Sequence, residues 1–375
     1  MKNERIRVLF LVPKCGAAGP LFVLHDILRS CDPSEFSFSL ISMAEEDPKR
    51  TILPEFSALM TCRLVPTAKH DALLGRADAV RSAMDELHPD VIHSTGLIPD
   101  LLVSRWYPEK QLVILHSDFR TDYAYTYGKL PGCALARLHL NAVRRAGTAV
   151  AVSENLSKIY RDAYHFEVPF IRNGVAIRPA GGEDKAAIRQ KLQLPEDRRI
   201  FVCAATFKRL KNQEFLIRAF ERLGNAPLLL LLGDGPLYRD LKGRYPNLKN
   251  TRMEGRVSNV REYLRASDYY VSASRTEGIS LGVLEGMSEG LPPLLSDIDS
   301  HQEILGLSGG SGELFRLDDQ DSFSEAMKRI LRQDYRCASY TSRETVRRHF
   351  DAVIMSRAYQ DRYRSIARKS KHINI

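Results

Sequence analysis

The stretch SRTEGISLGVLEGMSEGLPPLLSD, residues 274–297, decides the expected fold because it reads as a strand end, a helix and a second strand. Glu277 falls where the first strand ends, and Glu285 falls about one turn inside the helix that Ser280 or Leu281 opens. The amides of a first helical turn lack partners within the helix, so they are able to bind an anion. Two carboxylates that flank such an anion site suit a sugar joined to a phosphate.

Outward from this stretch, short β-branched or leucine-rich runs alternate with helical patterns along both halves of the chain. This alternation predicts parallel sheets covered by helices on both faces, and two series of runs predict two doubly wound domains. Ligands then belong at the carboxyl ends of the strands. The predicted strands are Ile6–Pro13, Phe36–Met43, Val91–Ser94, Leu112–His116, Thr148–Ser153, Ile200–Ala205, Leu228–Gly233, Thr251–Glu254, Tyr269–Ser272 and Pro293–Ser296.

The chain has 375 residues, which exceeds the usual size of one core and favours two domains. We predict an N-terminal domain over residues 1–176 and a C-terminal domain over residues 177–355, with a helix at about 356–375 that packs back on the first domain. The polar, glycine-rich segment 178–185 is typical of a linker. The final helical pattern runs from about Ser342 to Lys369 as one long helix.

Composition excludes several classes of protein. The longest apolar run, Pro227–Leu232, is far shorter than the ~20 residues that cross a bilayer. Arg7 interrupts the apolar N-terminal run, so we interpret this run as a strand and not as an export signal, and we expect a cytoplasmic enzyme. The six cysteines form no CxxC pair or metal-ligand spacing, so we predict that they are reduced packing residues.

The net charge of +9 favours anionic partners. The cations cluster at Arg137, Arg144 and Arg145 and in the tail from Arg362 to Lys371. Two interpretations stay open at this point: solvated helix faces, and docking on a membrane surface that carries anionic lipid. Since the basic charge comes without a groove-entering or aromatic motif, we expect no nucleic acid partner.

Two loops of the first half are candidates for binding. Gly16 and Gly19 follow the first strand in a G-x-x-G spacing that lets the backbone approach a ligand, although an ordinary strand–helix turn has the same pattern. His116 ends a strand in VILHSD, residues 113–118, at the ligand edge of the sheet. The alternative for His116 is a hydrogen-bonded buried histidine.

Further candidates lie in the second half. The segment TFKRLKNQ, residues 206–213, follows a strand, and its three cations near a helix start are able to neutralise a diphosphate, unless they form a solvated basic loop. Gly233 follows another strand and fits either a backbone-lined nucleotide pocket or a simple turn. Asp297-Ile-Asp299 is the nearest candidate for a metal-binding pair of carboxylates and no other metal motif is present, so a metal-free mechanism is the default expectation.

Taken in order, these segments resemble the glycosyltransferase group 1 or family 4 enzymes of GT-B architecture. The resemblance implies two Rossmann-like doubly wound parallel-sheet domains that face a central cleft. It is strongest over residues 199–306, and the segments that carry it are KNQEFLIRAF at 211–220, LGDGPL at 232–237, EGRV at 254–257, EGISLGVLEGM at 277–287 and GLPPLL at 290–295. The first half adds Gly16/Gly19, His93, His116, Ser153 and RNGV at 172–175. Asp297-Ile-Asp299 matches the family's loop after the GLPPLL strand, so the resemblance implies a turn there and not a metal site.

The resemblance also implies roles for the matching positions. Glu285 should hold the ribose hydroxyls of the nucleotide, Glu277 should lie by the donor sugar, and Lys211 should neutralise the diphosphate. His116 should lie on the acceptor side of the anomeric carbon. The other implied positions are the amides of Gly278, Ile279, Ser280 and Leu281 for the sugar and distal phosphate, Arg256 and Val257 for the base, Gly233 for the donor, and Gly16 and Gly19 for the acceptor or a phosphate.

The activity implied by this resemblance is a retaining, metal-independent transfer of a hexose or N-acetylhexosamine from a nucleotide sugar, with UDP favoured and no cofactor. The implied acceptor is lipid-linked or a polysaccharide, in bacterial surface polysaccharide biosynthesis. The basic helix Arg137–Arg145 and the tyrosines at 123, 125 and 127 suggest peripheral binding to the inner face of the cytoplasmic membrane.

One departure and two alternatives accompany this expectation. The family's Gly-Arg-Leu is replaced by Ala205-Thr206-Phe207, so we expect Arg209 or Lys208 to supply the missing cation. A nucleotide-sugar epimerase shares the architecture. A non-catalytic basic protein that binds membrane or nucleic acid is the other alternative, against which the intact Glu277, Glu285, Lys211 and His116 argue.

Overall fold

The computed structural model describes residues 5–179, 184–223 and 227–373, and the chain divides into two compact units. Unit 1 comprises Met1–Asn173 and Ala352–Ile375, and unit 2 comprises Gly174–Asp351. Both boundaries fall a few residues before the predicted ones at 176/177 and 355/356. Residues 180–183 of the predicted linker lie outside the described residues.

Unit 1 contains a parallel sheet whose six described strands are ordered β3-β2-β1-β4-β5-β6. Its strands are β1 Ile6–Val12, β2 Phe36–Ser42, β3 Thr61–Leu64, β4 Val91–Ser94, β5 Gln111–Leu115 and β6 Thr148–Ala151. Its helices are α1 Gly19–Arg29, α2 Leu53–Ser57, α3 Lys69–Leu73, α4 Asp78–Leu87, α5 Leu97–Trp106, α6 Phe119–Tyr127, α7 Lys129–Arg145, α8 Glu154–Tyr164 and the C-terminal α17 Ala352–Ile373, with a 3-10 turn at Pro108–Lys110.

Unit 2 repeats this architecture, and its six described strands form a parallel sheet ordered β12-β11-β10-β7-β8-β9. Its strands are β7 Ile200–Ala204, β8 Leu228–Leu232, β9 Thr251–Gly255, β10 Tyr269–Ser272, β11 Pro293–Ser296 and β12 Glu313–Phe315. Its helices are α9 Lys185–Lys191, α10 Gln213–Glu221, α11 Tyr238–Arg244, α12 Val260–Ala266, α13 Leu281–Ser288, α14 Asp299–Gly306, α15 Gln320–Arg332 and α16 Tyr335–His349, with a 3-10 turn at Arg209–Lys211.

Both sheets have the same order once their strands are counted within each unit, because the first strand lies between the second and the fourth. This is the doubly wound order 3-2-1-4-5-6. Strands one to three extend the sheet in one direction and strands four to six extend it in the opposite direction, so the order reverses between the first and fourth strands. In unit 2 that point lies between β7 and β10. The loops that follow β7 and β10 therefore open a crevice at the carboxyl edge of the sheet.

The predicted GT-B fold class, with two Rossmann-like parallel-sheet domains, is confirmed by this topology. The central strands are buried on both faces, as β8 illustrates with five leucines that are all buried. Complete burial of one such leucine stabilises a fold by about 1.5–3 kcal/mol. Central strands of this kind read as continuous apolar runs, which is why the sequence pattern located them.

Helix α17 packs on β1, β4 and α1 and so belongs to unit 1. The hydroxyl of Tyr363 lies 2.8 Å from Nδ1 of the buried His93, and Ser356 donates to the carbonyl of Ile27 at 2.8 Å. The Arg364 guanidinium donates to both carboxylate oxygens of Glu35, at 2.7 and 2.6 Å. His93 thus has a structural environment beneath this helix.

Three features differ from the sequence-based elements. The edge strands β3 and β12 were not predicted, because they lack a run of buried apolar residues: β3 contains no buried residue and β12 contains only Phe315. The predicted long final helix is two helices, α16 and α17, separated at Phe350 and Asp351. The amide of Val175 donates to the carbonyl of Phe350 at 2.9 Å, which holds this break in extended pairing with the start of unit 2.

Candidate functional site

An ion pair lies where the loops after β7 and β10 meet. Lys211, at the end of the 3-10 turn, donates from Nζ to Oε1 of Glu277. The same carboxylate oxygen accepts a hydrogen bond of 2.8 Å from the hydroxyl of Ser274. The side chains of Lys211 and Glu277 are 25% and 11% exposed, so the pair is largely shielded from water yet open at one side.

The charge state of Glu277 follows from this setting. Burial alone raises the pKa of this carboxyl group, but the Lys211 ammonium, its hydrogen bond and that of Ser274 oppose burial and hold the pKa below its usual range. Glu277 is therefore an ionised acceptor at neutral pH, with both cation and hydroxyl donors already in place.

A second network fixes the two loops to each other. The Arg275 guanidinium pairs with the carboxylate of Asp318, with one contact of 2.8 Å, and donates to Oδ1 of Asn212 at 3.2 Å. Asn212 donates to Asp318 at 3.0 Å, and the Arg275 amide donates to the carbonyl of Leu210 at 2.8 Å. Because Arg275 and Asn212 are close in sequence to Glu277 and Lys211, this network sets the spacing of the ion pair.

Helix α13 begins beside this pair, with Ser280 as its N-cap residue and Leu281 as its first residue, as predicted. Glu285 lies one turn inside the helix and is half-buried. A Cβ atom on Gly286 would lie 2.4 Å from the ring of Tyr270, and one on Gly282 would lie 2.7 Å from the carbonyl of Ala204. The glycines therefore allow the helix start to approach β10 and β7 closely.

The predicted replacements for the missing cation are at the surface. Thr206 is exposed, whereas Phe207 next to it is fully buried and packs edge-on against Tyr238. Lys208 and Arg209 are both exposed, and among the described residues neither side chain has an ion pair or hydrogen bond. Both cations are thus available to a ligand in the same loop as Lys211.

The other residues that are predicted to bind the donor lie in different environments. Arg256 is exposed and Val257 half-buried directly after β9. Gly278, Ile279 and Ser280 are all buried in the loop that leads into α13. Gly233 has φ of +130°, and a Cβ atom there would lie 2.2 Å from the carbonyl oxygen of Ala205, so a close backbone contact already explains this glycine.

The sequence did not single out His301, which lies in the first turn of α14 and is fully buried. Its Nδ1 atom lies 2.9 Å from the carbonyl oxygen of Ser296 and 3.2 Å from that residue's hydroxyl. Burial lowers the pKa of His301 to about 4, although the neighbouring Glu277 carboxylate acts in the opposite direction. No motif marks this histidine, so only the fold connects it with Glu277.

In unit 1, His116 directly follows β5, one residue beyond the end of the strand. Its Nε2 atom is buried and has no hydrogen-bond partner among the described residues. Burial lowers the pKa of this imidazole to about 4, so the ring is neutral at neutral pH.

The Gly16/Gly19 loop of unit 1 is tied to the segment that follows β2. The Cys15 amide donates to Oε1 of Glu46 at 2.7 Å, and the Ala17 amide donates to the carbonyl of Arg50 at 3.0 Å. Gly16 has open space where a Cβ atom would stand, and Gly19 opens α1. Two amides of the loop are thus engaged within the protein, which leaves fewer donors for a phosphate.

Helices α6 and α7 of unit 1 form a hairpin around a buried hydrogen-bond chain. His139 lies 2.7 Å from Oδ2 of Asp100 through Nε2 and 2.7 Å from the Tyr123 hydroxyl through Nδ1. Phe119 stacks on the His139 ring with centroids 3.9 Å apart. The Tyr123 hydroxyl therefore links α6 to the buried His139 of α7, while the half-buried Tyr123 ring also packs against Tyr127, with centroids 5.9 Å apart.

The outer face of this hairpin, by contrast, is apolar and basic. Tyr125, Tyr127, Leu130 and Leu138 are 45%, 56%, 86% and 42% exposed. Between residues 119 and 145 the sequence has five cationic side chains, at 120, 129, 137, 144 and 145, and one carboxylate, at 122. Within the described part of the chain, no helix has the length and apolar character needed to cross a bilayer.

The described residues contain no group of three or more His, Cys, Asp or Glu side chains that is arranged to hold a metal ion. Asp297, at the end of β11, accepts the amide of Leu317 at 2.9 Å. This contact fits the predicted turn.

Comparison with known proteins places this site in a family context. Residues 184–346 match the family model of the glycosyl transferases group 1. A Bacillus subtilis protein provisionally named a teichuronic acid biosynthesis glycosyltransferase, TuaC, is 28% identical over 309 residues, which cover 78% of this chain and 76% of TuaC. The Escherichia coli UDP-Gal:alpha-D-GlcNAc-diphosphoundecaprenol alpha-1,3-galactosyltransferase is 29% identical over 186 residues, which cover 47% of each chain.

Solved structures share the fold at lower identity. HepE of Anabaena, solved with UDP and glucose, has a TM-score of 0.80 at 16% identity and covers 96% of this chain and 100% of its own. Sucrose-phosphate synthase of Thermosynechococcus elongatus has a TM-score of 0.78 at 17% identity, with coverage of 96% and 99%.

Proposed function

From the premise that this chain is a glycosyltransferase, with a group 1 domain over residues 184–346, we propose that it transfers a hexose or N-acetylhexosamine from a UDP-sugar to a lipid-linked or polysaccharide acceptor. The observation that carries this proposal is the Lys211–Glu277 pair beside the start of α13. It brings a cation for a diphosphate and a carboxylate for sugar hydroxyls to one sheet edge.

The donor's charge explains how the pair would work. When the diphosphate binds, Lys211 exchanges Glu277 for phosphate oxygens, while the exposed Lys208 and Arg209 add positive charge from the same loop. Glu277 is then left to accept hydrogen bonds from sugar hydroxyls. In this proposal Glu285, one turn inside α13, holds the ribose.

The preference for UDP and for a polysaccharide pathway is supported by similar proteins. HepE was solved with UDP and glucose, and the Escherichia coli relative is named for UDP-Gal and a diphosphoundecaprenol acceptor. The name of TuaC refers to teichuronic acid biosynthesis. We extend these chemistries to this chain as part of the proposal.

We further propose that transfer retains the anomeric configuration and needs no metal ion. In this proposal the neutral imidazole of His116 in unit 1, whose buried Nε2 atom has no hydrogen-bond partner among the described residues, serves on the acceptor side. The leaving diphosphate is stabilised by Lys211 and by the amides at the start of α13, which are preorganised donors. Activity should persist in a chelator, and NMR of the product should show the donor's own anomeric configuration; inversion, or a loss restored by Mg²⁺, contradicts this proposal.

The donor proposal is tested by thermal shift with a panel of UDP-, GDP- and ADP-sugars. A sugar nucleotide at about 100 times its dissociation constant should stabilise the protein by about 2.7 kcal/mol. The Glu277→Ala variant should still bind free UDP. It should, however, lose most of the activity that releases UDP from the stabilising UDP-sugar. Stabilisation only by GDP- or ADP-sugars overturns the choice of UDP, and full UDP release in Glu277→Ala overturns the site.

The acceptor proposal includes docking of the α6–α7 hairpin on anionic lipid headgroups at the cytoplasmic face of the membrane. Leu130, Ala134 and Leu138 follow one helix face at four-residue spacing, and Arg137 flanks them. Apolar and tyrosine side chains would enter the interface while the surrounding cations meet lipid phosphates. Such docking would bring a lipid-linked acceptor to unit 1.

Vesicle flotation tests this docking directly. The protein should bind phosphatidylglycerol vesicles at low salt, bind less at high salt, and ignore phosphatidylcholine vesicles. Leu130→Asp should weaken binding by about 10-fold through lost apolar burial and added charge repulsion. Leu331→Asp, at a 40% exposed leucine on α15 of unit 2, is the matched control and should bind normally. Equal loss in both variants, or no vesicle binding by the unmodified protein, contradicts the proposal.

A further inference from the structure

The buried histidine of α14, His301, has a hydrogen-bond partner for only one of its two ring nitrogens among the described residues. Nε2 of His301 is shielded from water and has no hydrogen-bond partner among the described residues. A buried polar atom in this condition costs about 1–3 kcal/mol relative to a bonded one. An apolar side chain would fill the position without that cost, so packing stability alone does not account for a histidine.

The hydrogen bonds of the other ring nitrogen assign its proton. The carbonyl oxygen of Ser296, 2.9 Å from Nδ1, is able only to accept, so Nδ1 of His301 must donate. The Ser296 hydroxyl in turn donates to the carbonyl of Ser274 at 2.7 Å. The imidazole is thus anchored as one tautomer against the end of β11.

This anchor continues to the carboxylate of the donor site. Ser274, whose carbonyl is held by Ser296, donates from its hydroxyl to Oε1 of Glu277 at 2.8 Å. Ser272 supports the Ser274 hydroxyl from 3.1 Å. A continuous series of contacts therefore runs from His301 through Ser296 and Ser274 to Glu277.

We propose that His301 is a positioning residue for Glu277, which acts through Ser296 and Ser274 to fix the loop that presents the carboxylate to the donor sugar. The inference rests on the donor-sugar role proposed for Glu277. When Lys211 binds the diphosphate, its ion pair with Glu277 is broken. The hydrogen bond from the Ser274 hydroxyl is then the contact within this series that still holds the Glu277 carboxylate. Misplacement of such a group by about 1 Å is enough to slow catalysis by about 100-fold.

The neutral state of the ring suits this task. Burial keeps the pKa of His301 at about 4, so the ring carries no charge at neutral pH. A cation at this position would attract Glu277 away from Lys211 and from the sugar. A neutral donor to a carbonyl orders the loop without changing the charge of the site.

The test compares His301→Leu and His301→Asn, alone and in a Glu277→Gln background, with the UDP-sugar that gives the largest thermal shift. His301→Leu should lower kcat by about 10-fold or more with little change in the donor KM. His301→Asn should recover most of that loss, because its side-chain amide is able to donate to the Ser296 carbonyl in place of Nδ1–H. In the Glu277→Gln background, His301→Leu should cost less than about 2-fold, since residues that act through one another are not additive.

Three results overturn the inference: a normal kcat in His301→Leu, a loss in His301→Asn as large as in His301→Leu, or the same His301→Leu loss in both backgrounds. If His301→Leu does not fold, Ser296→Ala cuts the same series at its hydroxyl and should show the same kcat loss and the same non-additivity with Glu277→Gln. A normal kcat in Glu277→Gln itself overturns the proposed role of Glu277. An impaired Glu277→Gln with an unaffected His301→Leu overturns only the role of His301.

Discussion

At the scale of single residues, Lys211 and Glu277 depend on each other for their charges. Removing the lysine leaves a shielded carboxylate without its cation, and burial then drives its pKa upward. Removing one partner of such a pair lowers the stability of the fold more than replacing both partners, because removal leaves an uncompensated buried charge. The pair is therefore both the proposed ligand site and an expected stability determinant.

We predict that Lys211→Met lowers the free energy of unfolding by about 3 kcal/mol, and that Lys211→Met/Glu277→Gln recovers most of it. Since the folded-state pKa of Glu277 is lowered, the stabilisation by the pair is present above the ordinary carboxyl pKa and is lost as the pH falls from that value through the lower folded-state pKa. Urea denaturation of both variants checks this. Equal stability of the single and double variants contradicts the compensation.

The residues that could be predicted from the sequence share one property. Glu277, Glu285 and Lys211 fall within local motifs whose order alone indicates their positions. His301 lies outside any motif, and its connection to Glu277 needs contacts between β11, α14 and the loop after β10. The hydrogen bond between Tyr123 and His139 is likewise hidden from local motifs, because the two residues are on different helices.

At the scale of elements, α13 approaches β10 because two of its residues lack a side chain. The ring of Tyr270 occupies the space that a Cβ atom at Gly286 would need, and its hydroxyl bonds to the backbone of Ala204 in β7. The position of the helix start, and hence of the amides that we propose to bind the diphosphate, is set by this contact.

We predict that Gly286→Ala destabilises the protein by about 1–3 kcal/mol through overpacking and weakens UDP binding. Gly243→Ala in α11 is the matched control, since a Cβ atom there meets nothing within 4 Å. It should stabilise by about 0.5–1 kcal/mol, because alanine is the better helix former. Thermal unfolding with and without UDP measures both effects, and a stabilising Gly286→Ala contradicts the packing argument.

The same scale shows why strands without a buried apolar run are hard to predict. β7, β8, β10 and β11 are buried on both faces and leave a continuous apolar signal in the sequence. β3 contains no buried residue and β12 contains only one, so neither carries such a signal. The α16–α17 break is equally hidden, because it depends on backbone pairing with Val175.

At the scale of the whole molecule, three buried histidines make stability depend on pH. Burial lowers the pKa of His93 to about 3 and those of His116 and His301 to about 4. An unfolded histidine titrates near 6.5. Between about pH 4 and pH 6.5 the unfolded chain therefore binds protons that the folded chain does not, so the folded state loses stability as the pH falls.

We predict that acidification from neutral pH toward pH 5 destabilises unit 1, which holds His93 and His116, about twice as steeply as unit 2, which holds His301. Each histidine contributes up to about 1.4 kcal/mol per pH unit. The single tryptophan, Trp106, lies in unit 1, so its fluorescence reports that unit while circular dichroism reports both. Urea midpoints that do not change with pH in this range contradict the prediction.

The division of the chain has a consequence for its synthesis. Unit 2 is a continuous segment, whereas unit 1 needs α17, which follows unit 2 in the chain and supplies Tyr359 and Tyr363 to its interior. On the ribosome, the first half of the chain must therefore wait, with the surface under α17 uncovered, until α17 has been made. Synthesis thus begins unit 1 before unit 2 but supplies all of unit 2 before it can complete unit 1.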